Sequence, residues 1–257
     1  MTRILVTNDD GVFSPGIKAL AEELSRIAEV IVVAPDREQS AAGHALTLDR
    51  PLRLRRLDEG WHAVDGTPTD CVALAVQSLL KDHPPDLIAS GINFGLNLGD
   101  DVTYSGTVSA TFEGVLLGVP SIAFSQEVTD GFSFPRSARM ARELVERFLA
   151  LPREPSRLWS VNFPAARFAG VRWTRLGRRE YQQAVVEKTD PRGRQYFWIA
   201  GTPVWDHAQG TDSEAVSKGF VSVTPLHLDL TDYPNLRDLT SLEEPLSAAA
   251  RAVAEEE

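Results

Sequence analysis

Arg3-Ile4-Leu5-Val6-Thr7-Asn8-Asp9-Asp10-Gly11-Val12-Phe13-Ser14-Pro15-Gly16 is the stretch on which the fold turns. Its first five residues are an apolar, β-branched run that stops at Asn8-Asp9-Asp10-Gly11. The pattern predicts a buried strand, a polar loop, then a helix with Ser14 as N-cap and Pro15 at the first helical position. Two adjacent carboxylates at the end of a first strand repel each other, and a buried carboxylate needs a partner. A hard divalent cation, which takes oxygen ligands, is one compensation. A plain turn is the other reading, since Asn, Asp and Gly favour turns. The rest of the chain bears on the choice.

Residues 16–28 carry Ile17, Leu20, Ala21, Leu24 and Ile27 at helical spacing. Residues 30–34 are a second fully apolar strand, ended by Pro35-Asp36. Strand, helix, strand implies a right-handed crossover and a parallel sheet, whose strands are buried on both faces. A polar loop from Pro35 to Gly43 follows and contains Ser40. Residues 45–48, 52–57 and 61–64 read as short strands around turns. Thr67, Pro68 and Asp70 mark a helix start, with the helix running to about Leu80.

Residues 86–90 form the third buried strand and lead into a glycine- and asparagine-rich loop, 91–99. Ser105-Gly106-Thr107 opens a helix over 108–117. A strand at 120–125 and a helix at 137–151 follow. From residue 152 the character changes. Residues 159–163 read as one more sheet strand. Residues 171–176, 181–186 and 195–199 alternate or carry aromatics between turns, which predicts antiparallel hairpins. A late strand is expected at 220–224, a helix at 246–254, and a solvated tail at 255–257. The expectation is an α/β protein with a mostly parallel sheet. It is one domain over 1–257, with the core in 1–151 and the remaining strand, hairpins and C-terminal helix in 152–257.

The 257 residues are 43% hydrophobic and 24% charged, enough apolar material for a sizeable core. The net charge of −10 disfavours duplex nucleic acid or an anionic membrane as partner, because both want a basic patch. It leaves open a small anionic ligand held through a metal. One cysteine, Cys71, excludes an intramolecular disulfide and fits a reducing compartment. It lies in an apolar helical pattern and reads as a small core residue. The N-terminus lacks the apolar core of a signal peptide, and no apolar run reaches the roughly 20 residues that span a membrane. A cytoplasmic protein is expected.

In open α/β sheets, ligands bind at the carboxyl ends of the strands. Three strands here end in polar loops on that edge, giving Asn8, Asp9 and Asp10, then Ser40, then Asn93 and Asn97. All are oxygen donors. With no histidine or cysteine cluster, zinc is disfavoured and Mg²⁺ or Mn²⁺ favoured, with coordination positions left for water and phosphate oxygens. Ser105-Gly106-Thr107 is either ordinary capping or an anion site at a helix N-terminus. Beside a metal site it reads as a phosphate cradle. The combination points to metal-assisted phosphoester hydrolysis, with Asp9, Asp10 or the metal alone activating the water. His44 either touches substrate from beside the second loop or, the reading preferred, is an exposed loop histidine, and His62, His83 and His207 read as surface residues. His227 is either structural or able to reach the site. Arg175, Arg178 and Arg179 either bind phosphate or, the reading preferred, make the outer face of a hairpin soluble.

Val6-Thr7-Asn8-Asp9-Asp10-Gly11, Ala34-Pro35-Asp36-Arg37, Gly66-Thr67-Pro68-Thr69-Asp70-Cys71, Ser90-Gly91-Ile92-Asn93, Asn97-Leu98-Gly99 and Tyr104-Ser105-Gly106-Thr107-Val108 together resemble the SurE family of survival-protein nucleotidases. Asp190-Pro191-Arg192-Gly193, Gly210-Thr211-Asp212 and Val221-Ser222-Val223-Thr224-Pro225-Leu226-His227 extend the resemblance over nearly the whole chain. It implies a metal-dependent phosphatase acting on nucleoside 5′- and 3′-monophosphates, with trimming of short polyphosphate as a side activity. It implies a Rossmann-like three-layer sandwich and a C-terminal hairpin and helix arm exchanged within a homodimer or homotetramer. The family's metal ligands fall on Asp9, Asp10, Ser40 and Asn93, one ion per subunit. Asn8, Asn97, Ser105, Gly106 and Thr107 are then expected to seat the phosphate. Leu96 stands where the family often has proline.

Two other phosphate chemistries do not fit. A receiver domain needs an aspartate at the end of the third strand, where Ser90-Gly91-Ile92-Asn93 stands. A haloacid-dehalogenase-type phosphatase needs two aspartates separated by one residue, and here they are adjacent. A non-catalytic nucleotide-binding protein is the alternative from another class.

Overall fold

The computed structural model describes residues 2–130, 132–182, 185–199 and 202–254. Strand β1 (Arg3–Thr7) is buried from Ile4 onward. Helix α1 (Pro15–Leu24) follows, with Ile17, Leu20, Ala21 and Leu24 turned inward. It ends before residue 28, and β2 (Glu29–Pro35) returns parallel to β1 with Ile4 opposite Val30. Strands β3 (Leu54–Asp58) and β4 (Trp61–Val64) pair antiparallel, and β4 lies parallel to β2.

Residues 45–48, expected as a strand, are not one. Their polar groups go to a helix start instead. The Thr47 N–H donates to Asp70 Oδ1 (2.9 Å), the Thr47 hydroxyl to Asp70 Oδ2 (2.6 Å), and the Thr67 hydroxyl to the Ala45 carbonyl (2.7 Å). Thr67 and Asp70 also form a reciprocal capping box on α2 (Pro68–Leu74), which continues as a π-helical turn, Ala75–Leu79.

Strand β5 (Leu87–Phe94) runs parallel to β1, with Thr7 opposite Ser90, and continues past the expected end at Ser90. A 3₁₀ turn (Gly99–Thr103) leads to α3 (Gly106–Leu116), then β6 (Ser121–Gln126), α4 (Phe134–Leu149) and β7 (Leu158–Phe163). The later elements are β8 (Gly170–Trp173), β9 (Arg179–Gln182), β10 (Val185–Thr189), β11 (Gln195–Ile199), β12 (Thr202–Trp205), α5 (Asp212–Ser217) and β13 (Phe220–Leu226).

Among the described residues, nine strands form one sheet in the order β3-β4-β2-β1-β5-β6-β7-β13-β8. It is parallel except for the β3–β4 and β7–β13 pairs. Helices cover both faces. Ile4 and Val6 pack with α1 and α4, while Leu5 packs with Cys71, Val72 and Ala110 of α2 and α3. This two-sided burial is why β1 reads as a continuous apolar run.

The hairpin expectation holds for β10 and β11. It fails for 171–176, whose strand β8 lies parallel to β13 on the main sheet. Strand β9 pairs with β12, so the strand expected at 181–186 is divided, and residues 183–184 lie outside the described set.

The chain divides into two compact units, Met1–Leu226 and His227–Glu257. The second contains α6 (Tyr233–Leu239), a 3₁₀ turn (Thr240–Leu242) and α7 (Glu243–Ala254). The helix expected at 246–254 thus begins earlier, and the tail 255–257 lies outside the described residues. His227 falls in this unit. No helix among the described residues is long and apolar enough to cross a membrane.

Candidate active site

At the end of β1 the chain turns through three polar residues whose side chains do different things. Asn8 is buried, and its amide donates to the Gly11 carbonyl (3.0 Å) and to Ser14 Oγ (2.8 Å). Both amide hydrogens are therefore spent on the loop that leads into α1. Ser14 sits at the N-cap position, but its hydroxyl meets Asn8 rather than the helix. The buried Asn8 Oδ1 has no partner among the described residues.

Asp9 is buried against the start of α3. The Thr107 N–H donates to Asp9 Oδ2 (3.0 Å) and the Thr107 hydroxyl to Asp9 Oδ1 (2.5 Å). The glycine at 106 makes this approach possible, since a Cβ there would lie 2.9 Å from Asp9 Cβ and 3.0 Å from Asp9 Oδ2. Ser105 caps the same helix by accepting from the Val108 N–H (3.2 Å). Asp10 is less buried. Its Oδ2 accepts the Phe94 N–H (3.1 Å), which ties it to the end of β5. Its Oδ1 accepts no bond among the described residues.

The loop after β2 is stitched to the same place. The Gln39 N–H donates to the Asp9 carbonyl (2.8 Å) and the Val12 N–H to the Pro35 carbonyl (2.8 Å). Ser40 is exposed, and its hydroxyl donates to Glu38 Oε1 (2.6 Å), which leaves the oxygen free to accept. On β5, a register shift between Ser90 and Asn93 re-aims the strand end, as bulges beside active sites do. Asn93 donates through Nδ2 to the Gly95 carbonyl (2.9 Å). Its Oδ1 accepts nothing among the described residues.

Asn97, like Asn8, is a residue expected to help seat the phosphate. It is buried and tied down on three sides. Its N–H donates to Asn162 Oδ1 (2.9 Å), its carbonyl accepts from Asn162 Nδ2 (3.0 Å), and its own Nδ2 donates to Ser125 Oγ (2.8 Å). The amides of both Asn8 and Asn97 therefore hold loops in place.

The electrostatics are one-sided. Burial pushes the Asp10 carboxyl up to about 6, and the neighbouring Asp9 adds to the effect. Burial also raises Asp9, against the lowering effect of the two Thr107 bonds. Glu38 raises both. No lysine or arginine makes an ion pair with either aspartate among the described residues. The arrangement lacks positive charge, and its available acceptors, Asp10 Oδ1, Asn93 Oδ1 and Ser40 Oγ, are hard oxygens. That donor set suits Mg²⁺ or Mn²⁺. No group of three His, Cys, Asp or Glu side chains suited to a metal occurs among the described residues, so an ion here depends on the hydroxyl and the carboxamide.

Two contributors were not singled out from the sequence. Glu38 carries no signal beyond standing two residues before Ser40. Asp212, in the Gly210-Thr211-Asp212 motif, accepts the Gly99 N–H (2.8 Å) and the Gly177 N–H (2.9 Å), so it pins the loop after Asn97. His44 contacts Glu113 of α3 (3.1 Å) and not the aspartates. A groove of about 490 Å³ lined by Arg172, Trp173, Thr174 and Lys218 lies at the β8 edge, with β5, β6, β7 and β13 between it and β1.

Comparison with known proteins gives a consistent picture. A family model described as survival protein SurE matches residues 4–183. The chain is 53% identical over 242 residues to the 5′-nucleotidase SurE of Myxococcus xanthus, spanning 93% of this chain and 92% of that protein. It is 50% identical over 253 residues to the 5′-nucleotidase SurE 1 of Thermus thermophilus, spanning 94% and 98%. The crystal structure of the SurE protein from Aquifex aeolicus matches with a TM-score of 0.85 at 45% identity, covering 94% of this chain and 99% of that one.

Proposed function

The chain belongs to the SurE family, and from that premise we propose how it hydrolyses nucleoside monophosphates. The reaction is that of a 5′-nucleotidase: water cleaves the phosphoester of a nucleoside 5′-monophosphate to nucleoside and phosphate. Asp9, Asp10, Ser40 and Asn93 hold one divalent ion, Mg²⁺ or Mn²⁺. Bound there, the ion would polarise a phosphoryl oxygen and lower the pKa of water.

The chain's own groups do the rest. The first N–H groups of a helix have no intrahelical partner. Here the Thr107 N–H goes to Asp9 and the Val108 N–H to Ser105, which leaves the Gly106 N–H for a phosphate oxygen. Thr107 orients Asp9 through both carboxylate oxygens. The proton of the attacking water goes to one of the paired carboxylates, Asp9 or Asp10. Asn8 and Asn97 hold the two loops in register. The same site accepts 3′-monophosphates and the terminal phosphate of short polyphosphate, because recognition centres on the phosphoryl group.

The observation that carries this reading is the Thr107–Asp9 contact, which brings the anion-binding helix start and the paired carboxylates to one place. The exposed Phe197, Trp198 and Ile199 on β11 support a homodimer or homotetramer. The buried lone cysteine supports a cytoplasmic location. The test is phosphate release from a panel of nucleoside monophosphates with Mn²⁺, Mg²⁺ or chelator, for wild type and Asp9→Asn. Metal-dependent release that the substitution abolishes is expected. Nucleotide binding without release under either metal would leave a binding protein instead.

A further inference from the structure

Phe94 is a large apolar side chain that the fold leaves 56% exposed at the rim of the site. Its backbone N–H is the group bonded to Asp10 Oδ2 (3.1 Å), so the residue that carries this ring is tied to a carboxylate of the phosphate site. Its backbone is fixed from both sides. Phe94 is in register with Gln126 of β6, and the next N–H, of Gly95, donates to the Gln126 carbonyl (3.0 Å).

The ring is braced as well. It meets Phe132 edge-on with centroids 5.7 Å apart and lies 6.5 Å from Phe134. Those two rings meet edge-on at 5.2 Å, and Phe134 is part of the core. A ring held by backbone pairing and by two other rings, with its remaining surface in solvent, has little conformational entropy left to lose when something stacks on it. Stacking of a base on an aromatic ring tolerates any base, because every base has a π-face.

We propose that Phe94 is the nucleobase platform of this enzyme: the base of a nucleoside monophosphate stacks on its exposed ring while the phosphate lies at Asp9, Asp10 and Gly106. The inference rests on the nucleotidase reading and adds to it the part of the substrate that this site prefers. It makes the enzyme select nucleotides over bare phosphomonoesters without selecting among bases.

The test compares AMP with ribose 5-phosphate, which carries a hydroxyl where AMP carries the base. In wild type, KM is expected to be lower for AMP by about 5- to 100-fold, the range that base stacking supplies. In Phe94→Ala the two KM values converge, through a rise for AMP that ribose 5-phosphate does not share. Phe94→Trp retains the preference. Calorimetric binding of adenosine, which needs no turnover, should be lost in Phe94→Ala and kept in Phe94→Trp. Phe94→Leu, which keeps apolar volume against Phe132, guards against a folding defect and should lose the preference as alanine does.

An unchanged AMP preference in Phe94→Ala and Phe94→Leu overturns the proposal, as does an equal rise in KM for both substrates. A change of oligomeric state with the preference intact overturns it too, because the ring is then covered by a second copy. No phosphate release by wild type from either compound, with adenosine still bound only when residue 94 is aromatic, would sink the nucleotidase reading and keep the platform.

Discussion

Thr107 grips both oxygens of Asp9, its backbone N–H on Oδ2 at 3.0 Å and its hydroxyl on Oδ1 at 2.5 Å. The backbone bond survives any substitution at 107, whereas the hydroxyl bond does not. Thr107→Val keeps the β-branched shape and removes only the hydroxyl. A hydrogen bond to a charged group contributes about 1.5–3 kcal/mol, so Mn²⁺ affinity should fall by roughly tenfold or more. Thr107→Ser should restore most of it. Calorimetric Mn²⁺ titration of the three proteins checks this, and equal affinities in all three would mean that Thr107 does not orient the ligand.

Gly16 packs α1 onto the strand that carries Asn93. A Cβ on Gly16 would lie 2.0 Å from the Ile92 carbonyl oxygen, a backbone atom that cannot rotate away. Overpacking of this kind costs about 1–3 kcal/mol and occasionally more. Gly16→Ala should therefore lower Tm by about 2–12 °C, at about 2–4 °C per kcal/mol for a chain near this size. It should also weaken activity by displacing β5. A thermal melt and a rate measured at 25 °C separate the two effects. An unchanged Tm would show that α1 can shift freely on the sheet.

Asp70 stabilises a loop that local pattern misreads. Its carboxylate accepts the Thr67 N–H (2.8 Å) and both Thr47 donors, and it is nearly fully buried. Asp70→Asn turns one acceptor oxygen into a donor facing donors, which leaves buried groups unsatisfied at about 1–3 kcal/mol. Both stability and the protection of residues 45–48 from proteolysis should fall. Limited proteolysis with mass mapping reads the second effect, and resistance equal to wild type would show that Thr47 is held by something else.

These residues also show what the sequence makes legible. The parallel core is readable because β1 and β2 are buried on both faces and give continuous apolar runs. Asp9 and Asp10 stand out because paired carboxylates at a strand end are costly. The loop 45–48 reads as a strand because its alternation mimics one, while its hydrogen bonds go to Asp70, a partner more than twenty residues away in the chain. The loop-holding amides of Asn8 and Asn97 are illegible for a related reason. A carboxamide looks the same in sequence whether it faces a ligand or, as here, Gly11 and Ser125. The position of β8 is not legible because an edge strand's partner, here β13, is set by tertiary topology rather than by local pattern.

The paired carboxylates should make the metal-free protein respond to pH in an unusual direction. Asp10 is pushed from its ordinary value of 3.8 up to about 6, chiefly by burial and then by Asp9. Between about pH 4 and 6 the folded state therefore binds the proton that the unfolded state has released, and stability falls as pH rises through that window. Asp65, Asp190 and Asp229 are held below the usual carboxylate range and act with the opposite sign, at lower pH. The difference between wild type and Asp10→Asn isolates the group. In chelator, Asp10→Asn should gain on wild type in Tm from pH 4 to 6 and stay more stable at pH 7. Excess Mn²⁺ at pH 7 should reverse the order, because only the carboxylate rewards the ion. Thermal melts across pH 4–8, with chelator and with Mn²⁺, provide the measurement. Parallel curves for the two proteins in chelator would show that Asp10 ionises in the fold as easily as in water.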